Sequence, residues 1–439
     1  MSAPLRIAVA GLGTVGVGVV KILAARGAVL SSASGRDLKI VAVSARDAHK
    51  DRGIDLTGIR FESDAVALAR ADDVDVVIEL IGGAEGTARD LVETALATGK
   101  HVVTANKALI ARHGVALAAM AEARGVALNF EAAVAGGIPI VKALREGLIA
   151  NEIESVSGIL NGTCNYILTE MEETGRDFAD VLKDAQALGY AEADPSFDVG
   201  GIDAAHKLAI LASLAFGTRV DFSQVKIEGI EKISTTDIHY AAEFGYRIKL
   251  LGKAERVDGG IVQSVHPALV PLGSPLAAVS GVFNAVAVTG DRVGLVVLEG
   301  RGAGEGPTAS AVVSDLIDIA RGFVFAPFIV PTKDLRTAVA PSHDDHKGAF
   351  YLRLFAVDRA GSMAEITRAL ALASVSIERI VQSGERKVAG SGRLPVVFVT
   401  HETDEDTMRK AMTLLAEHAD VAGEPLMIRI ENDPAHSPG

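Results

Sequence analysis

Apolar and polar positions along the chain fall into two rhythms. Short apolar runs occur at 5–10 (LRIAVA), 38–45 (LKIVAVSA), 74–83 (VDVVIELIGG), 100–109 (KHVVTANKAL) and 125–134 (GVALNFEAAV). Segments of helical period separate them, such as VGVVKILAARG after the first run and ARDLVETALATG after the third. Apolar runs alternating with helices predict βαβ units and a parallel sheet buried on both faces. Residues 1–132 therefore read as a doubly wound α/β domain.

The texture changes after Pro139. SVSGIL (155–160), GIVQSVHPALV (260–270) and NAVAVTGDRVGLVVLEG (284–300) predict an antiparallel or mixed sheet, with Gly290-Asp291 placed where a hairpin would turn. Helical segments FADVLKDAQALG and DAAHKLAILASLAF lie between them, so residues 133–304 form a second, α+β domain. ASAVVSDLIDIARG is an amphipathic helix, and a return segment of about 305–325 is expected to pack back on the first domain. Residues 326–347 carry Pro327, Pro331 and Pro341 and have the composition of a linker. Residues 348–433 spell strand-helix-strand-strand-helix-strand, the ferredoxin-like order. Residues 434–439 are expected to be a disordered tail.

Composition narrows the function. A chain of 439 residues has room for two or three domains. Its formal net charge of −13 counts against nucleic acid or an anionic membrane as the main partner. The single Cys164 excludes an internal disulfide framework and a Cys-based zinc site. The N-terminal MSAPLRIAVAGLG lacks the layout of a secretory signal, and no apolar run reaches about 18 residues without polar interruption. A cytoplasmic protein is the expectation. The one anomaly is 45 glycines, and their places matter more than their number.

Gly11, Gly13 and Gly16 match G-x-G-x-x-G, with a strand before and a helix after. That context fits a dinucleotide whose pyrophosphate meets the helix N-terminus. The second strand ends Val43-Ser44-Ala45-Arg46, with no acid to hold a ribose 2′-hydroxyl. Arg46 is therefore read as a contact for the 2′-phosphate of NADP(H), the alternative being a solvated arginine.

The densest chemistry lies between Ala185 and Lys207, where Glu192, Asp194, Asp198 and Asp203 precede Lys207. Asp203 and Lys207 stand i,i+4 on one helix face, either as a working pair or as a surface ion pair of small energetic weight. The pattern A-x-x-x-G-Y-A-x-x-D-P-x-x-D-V-x-G-x-D-x-x-x-K over this segment resembles the signature of the homoserine dehydrogenase family. Gly11–Gly16, Glu79–Gly83, Val103–Lys107, Glu131–Pro139, Leu160–Thr163 and Gly304–Ser310 resemble the same family in the same order. The C-terminal unit resembles an ACT domain.

The resemblance implies a Rossmann-type doubly wound parallel sheet, a mixed-sheet catalytic and dimerisation domain, and a ferredoxin-like ACT domain. It implies hydride transfer between L-homoserine and L-aspartate 4-semialdehyde, on the route to threonine, methionine and isoleucine, by a homodimer or homotetramer. Lys207 would be the acid–base group, Asp203 its orienter and a substrate ligand, and Lys107 a contact to cofactor and substrate with a share in catalysis. Glu192 and Asp198 would bind the substrate, with Gly162 and Thr163 beside it. Cofactor contacts would include Gly11, Gly13, Thr14, Val15, Gly16, Gly82, Thr104, Lys107 and Gly304. Glu131, Val134, Gly136 and Ile138 match a monovalent cation site for Na⁺, built largely of backbone carbonyls. In the ACT unit, the turn from Asp358 to Gly361, with Gln382, would receive an amino-acid effector, L-threonine being the natural candidate. Two rivals remain in view: a semialdehyde dehydrogenase with Cys164 as nucleophile, and a non-catalytic sensor of dinucleotide and amino acid.

Overall fold

A computed structural model describes residues 3–258, 260–339, 347–382 and 393–431. The tail at 434–439 and the linker stretch 340–346 lie outside the described residues. The N-terminal domain runs β1 (Leu5–Ala10), α1 (Thr14–Ser34), β2 (Leu38–Ser44), β3 (Arg60–Glu62), α2 (Ala65–Arg70), β4 (Val76–Glu79), α3 (Thr87–Ala97), β5 (His101–Thr104), α4 (Lys107–Arg124) and β6 (Leu128–Asn129). Its six strands pair in parallel in the order β3-β2-β1-β4-β5-β6. Ile7, Ala8, Val9, Val76, Val77 and Ile78 are fully buried, which is why these strands are apolar throughout.

The middle domain continues with α5 (Ile140–Lys142), β7 (Ile153–Ile159), α6 (Gly162–Thr174), α7 (Phe178–Ala187), α8 (Ser196–Val199), α9 (Ile202–Phe216), β8 (Val225–Ile227) and α10 (Thr235–Glu243). It closes with β9 (Tyr246–Val257), β10 (Gly260–Pro271), α11 (Pro275–Ala278), β11 (Phe283–Gly290), β12 (Gly294–Arg301) and α12 (Glu305–Ala320). Strand β9, absent from the sequence expectation, sits between β7 and β10 at the centre of the sheet. Helix α12 packs on α1. The closeness depends on Gly18, where a Cβ would stand 3.0 Å from the Cβ of Ala309. By length and composition α1 is the one helix among the described residues apolar enough to cross a membrane. Here one face lies on the parallel sheet and another against α12.

The C-terminal module comprises β13 (Lys347–Gly348), β14 (Phe350–Val357), α13 (Ser362–Leu372), β15 (Ile377–Gln382), β16 (Arg393–Thr400), β17 (Thr403–Asp404), α14 (Glu405–Ala416) and β18 (Val421–Ile430). Its strand order β18-β14-β16-β15 is ferredoxin-like. Two features depart from a module on a loose tether. Strand β18 pairs in parallel with β10, so both sheets form one continuous sheet of ten strands. The linker's described part is also packed down. Phe328 is fully buried against Phe130, at 5.4 Å between ring centroids, and Thr332 donates its N–H and hydroxyl to Glu122. Proline spacing reads as a tether, but one buried aromatic side chain is enough to fix the strap.

Candidate active site between the N-terminal and middle domains

At the carboxyl end of β1 the chain turns through Gly11, whose φ of +102° and distance of 2.5 Å from a built Cβ to Leu80 O exclude a side chain. Gly16 closes under the same turn, where a Cβ would collide with Gly11 O. Nothing stands within 4 Å of the Cβ direction at Gly13, so the backbone there is open to a ligand. Helix α1 begins at Thr14 and Val15 with no acid in its first turn, leaving its N-terminal N–H groups and dipole for an anion. A cleft of about 650 Å³ opens above this turn. Arg46, Lys50 and Arg52 line it. Arg52 donates to Leu12 O, Lys50 O and Asp47 O and so ties the β2 loop together, whereas Arg46 is exposed at the rim. Lys50 and Arg52 lie outside the fingerprint and escaped the sequence reading.

The ends of β4 and β5 form the opposite lip. Buried Glu79 accepts the N–H groups of Ile81 and Gly82, and the Thr104 hydroxyl at 2.6 Å. Thr104 also accepts from the Asn106 N–H, and it is fully buried. Its hydroxyl therefore shapes the turn at the ends of β4 and β5. Asn106 caps α4 through Leu109 N and holds Gly83 O with its amide. Lys107, first in α4, is thereby aimed across the domain junction.

Beyond the junction Lys107 meets Asp203, with Nζ 2.6 Å from Oδ1. Lys207, one turn along α9, places Nζ 2.8 Å from Oδ2 of the same carboxylate and 2.7 Å from Leu160 O. Two of its three ammonium donors are engaged in this way. Asn161 caps α6 by accepting from Cys164 N, and its amide bridges Asp198 Oδ1 at 2.8 Å and Asp203 Oδ2 at 2.9 Å. The Phe197 ring stands 5.9 Å from the Lys107 ammonium. Burial drives the Asp203 pKa up, but the hydrogen-bonded ammonium groups of Lys207 and Lys107 overcome it and hold the carboxyl well below the carboxylate range. Burial pulls Lys207 below the ordinary lysine range, with Asp203 opposing and Lys107 reinforcing. Burial raises Asp198. The result is a buried proton-holding ammonium beside two unlike carboxyl groups.

The remaining candidates fall around this centre. Thr163 donates its hydroxyl to Tyr190 O at 2.7 Å, fastening the loop that carries Glu192. The Glu192 side chain is exposed on that loop. Gly162 is fixed by close packing, a Cβ there standing 2.7 Å from Val282 O. Gly304 caps α12 with φ +116°. Cys164 is fully buried with its thiol on Asp198 O, and burial raises its pKa well above the ordinary value, the reverse of an activated nucleophile. His206 is packed between Phe197 and Phe222.

Around the expected cation loop, buried Glu131 accepts Val141 N and Lys142 N, and Asp315 accepts Glu131 N. Burial pushes Glu131 up to about 7 and Asp315 up to about 8. Ala135 and Gly136, with φ of 53° and 49°, turn the chain between Val134 and Ile138. In the C-terminal module Asp358, Gly361 and Gln382 are exposed, with Gly361 capping α13 at φ +93°. The sequence reading missed the bridging role of Asn161, the Leu160 carbonyl and Glu79. An asparagine at a strand-to-helix turn, in Asn161-Gly162-Thr163, is the signal from which a cap can be read.

Family profiles match in three blocks. The profile described as "Homoserine dehydrogenase, NAD binding domain" covers residues 11–131, "Homoserine dehydrogenase" covers 139–317, and "ACT domain" covers 350–419. The homoserine dehydrogenase of Neisseria gonorrhoeae is 46% identical over 98% of this chain and 99% of its own. That of Pseudomonas aeruginosa is 44% identical over 98% and 99%. Among solved structures, a homoserine dehydrogenase from Thiobacillus denitrificans superposes with a TM-score of 0.91 at 44% identity, covering 98% of each chain. A hyperthermophilic archaeal homoserine dehydrogenase in complex with NADPH gives 0.63 at 28% identity, over 73% of this chain and 98% of that one.

Proposed function

The chain belongs to the homoserine dehydrogenase family, an NAD(P)-dependent oxidoreductase with a C-terminal ACT domain, and from that premise we propose how its residues divide the work. The observation that carries the reading is the Lys107–Asp203–Lys207 cluster at the edge of the dinucleotide cleft. When bound, the nicotinamide cofactor supplies or accepts the hydride. Lys207 gives its proton to the aldehyde oxygen of L-aspartate 4-semialdehyde during reduction and takes it from the hydroxyl of L-homoserine during oxidation. Asp203 keeps that ammonium aimed and charged, and Asn161 keeps Asp203 and Asp198 apart. Asp198 and Glu192 receive the substrate ammonium, which explains an excess of carboxylates in a site whose reaction needs only one acid. Lys107 joins the pocket to the cofactor side.

NADP(H) is the preferred cofactor in this reading, with Arg46 and Lys50 taking the 2′-phosphate where β2 offers no acid. Na⁺ fits the loop at Glu131, Val134, Gly136 and Ile138. The donors are hard oxygens around the buried Glu131 carboxylate, the ligand type that a hard monovalent cation takes. Its part is structural. The ACT domain binds L-threonine at the Asp358–Gly361 turn and restrains the enzyme, which works in the cytoplasm as a dimer or tetramer on the route to threonine, methionine and isoleucine.

The test is steady-state oxidation of L-homoserine with NADP⁺ and with NAD⁺, followed at the reduced nicotinamide. Turnover favouring NADP⁺, with inhibition by L-threonine, is expected. No turnover of homoserine overturns the catalytic reading, equal use of both cofactors overturns the 2′-phosphate assignment, and indifference to threonine overturns the regulatory one.

A further inference from the structure

Lys249 lies in the middle of β9, 2% exposed, between Ile248 and Leu250. Among the described residues its ammonium has no carboxylate partner. It donates instead to Val279 O at 2.5 Å and to Asn165 Oδ1 at 3.1 Å. Asn165, on α6 and itself buried, directs its amide at Val279 O, Gly281 O and Phe283 O, at 3.0 to 3.3 Å. Thr169, one turn further along α6, accepts Gly281 N at 3.1 Å. Three buried polar side chains thus grip the segment 279–283 between α11 and β11. That segment presses on the start of α6, since a Cβ on Gly162 would stand only 2.7 Å from Val282 O. The residue before Gly162 is Asn161, whose amide bridges Asp198 and Asp203.

An ammonium buried without a carboxylate in contact is expensive, and an apolar residue of similar volume would fill the same place in a strand flanked by Ile248 and Leu250. We propose that Lys249 is a positioning residue for the reaction: with Asn165 and Thr169 it clamps segment 279–283 onto the first turn of α6 and so holds Asn161 between the two carboxylates. The inference rests on the reading of that cluster as the homoserine pocket. Burial pushes Lys249 down to about 8. The charged groups that face it are Glu172 from α6 and Arg247 from β9, which pair with each other at 2.9 Å. The clamp is therefore charged at neutral pH and loses its proton in mild alkali.

Lys249→Met in the full chain tests the assignment. Hydrogen exchange should quicken at 161–165 and 279–283, and KM for homoserine should rise about tenfold while KM for NADP⁺ stays put. In the parent protein KM for homoserine should climb as pH passes about 8, and that climb should be missing from the variant. Asn165→Asp, which gives the ammonium a counter-charge, should move the climb to higher pH. A folded Lys249→Met chain with unchanged exchange in both segments, or with unchanged KM for homoserine, overturns the proposal. Where Lys249→Met does not fold, Thr169→Val replaces it: a raised homoserine KM supports the clamp and an unchanged one overturns it. A parent protein inert to homoserine overturns the functional reading, and the exchange pattern then decides the clamp alone.

Discussion

The molecule has two internal junctions, and they handle charge in opposite ways. Between the N-terminal and middle domains the contact is a cleft, bridged by a lysine whose side chain is one-third exposed and reaches the buried Asp203. Two ammonium groups share one carboxylate there, and the pKa values of Asp203, Lys207 and Asp198 are all displaced. Between the middle domain and the C-terminal module the contact is a hydrogen-bonded sheet in which each buried cation meets one or two carboxylates. Asp237, fully buried in the first turn of α10, accepts Arg353 Nε at 2.7 Å and Tyr351 OH at 2.9 Å from β14. Arg429 of β18 meets Glu405 and Glu228, and Lys253 of β9 meets Glu431 and Glu255. Two ammonium groups converge on one carboxylate at the junction proposed to take up and release a proton and a substrate. Carboxylates converge on single cations at the junction that only has to hold.

The largest expected effect breaks the first junction at its centre. Lys207→Ala should lower kcat by about 10²- to 10⁴-fold with the fold and KM for NADP⁺ intact, and a near-normal kcat would refute its proton role. At the second junction, Asp237→Ala leaves Arg353 and Tyr351 without their buried acceptor. Thermal and urea unfolding should show a loss of about 3–5 kcal/mol, partly recovered in the double variant Asp237→Asn, Arg353→Met. A loss below 1 kcal/mol would mean that the ion pair is not what joins the modules. Arg46→Ala at the rim of the cleft should raise KM for NADP⁺ about tenfold and leave that for NAD⁺ unaltered. Equal changes for both cofactors would remove Arg46 from the phosphate. The smallest effect is a shift in pH. With Lys207 as the proposed base, homoserine oxidation requires its neutral form, so kcat should rise with pH through a limb below the ordinary lysine range. Asp203→Asn removes the carboxylate that favours the charged form, so the limb should move to lower pH. A limb that stays in place belongs to another group.

Local pattern carried much of this architecture. The βαβ rhythm is legible because strands buried on both faces must be apolar throughout, and Gly11 and Gly16 because their tight approach leaves no room for a Cβ. The pairing of Asp203 with Lys207 follows from helical spacing. What local pattern does not contain is who lies opposite whom across the tertiary fold. Lys107 reaches Asp203 only because α4 and α9 meet at the domain junction. Strand β9 is hard to read because Lys249 and Lys253 break the apolar run that a central strand normally shows; Lys249 is buried and Lys253 half-buried, each through partners distant in sequence. The union of β10 with β18 is equally non-local: it depends on the short register of Ala268 with Arg429 and Leu269 with Ile430.

That short register has a consequence for solubility. A strand with a free edge is a template for pairing with other chains. β10 has β9 on one side, and its other side is covered in two portions, by β8 at Gln263–Val265 and by β18 at Ala268 and Leu269. The last strand of the C-terminal module is thus a cover for an otherwise adhesive, apolar rim. Removing it to study catalysis alone would bare the Ala268–Leu269 backbone and invite aggregation. A trimmed protein would need a substitute on that rim, such as a charged or proline-bearing residue at the exposed register, to remain dispersed.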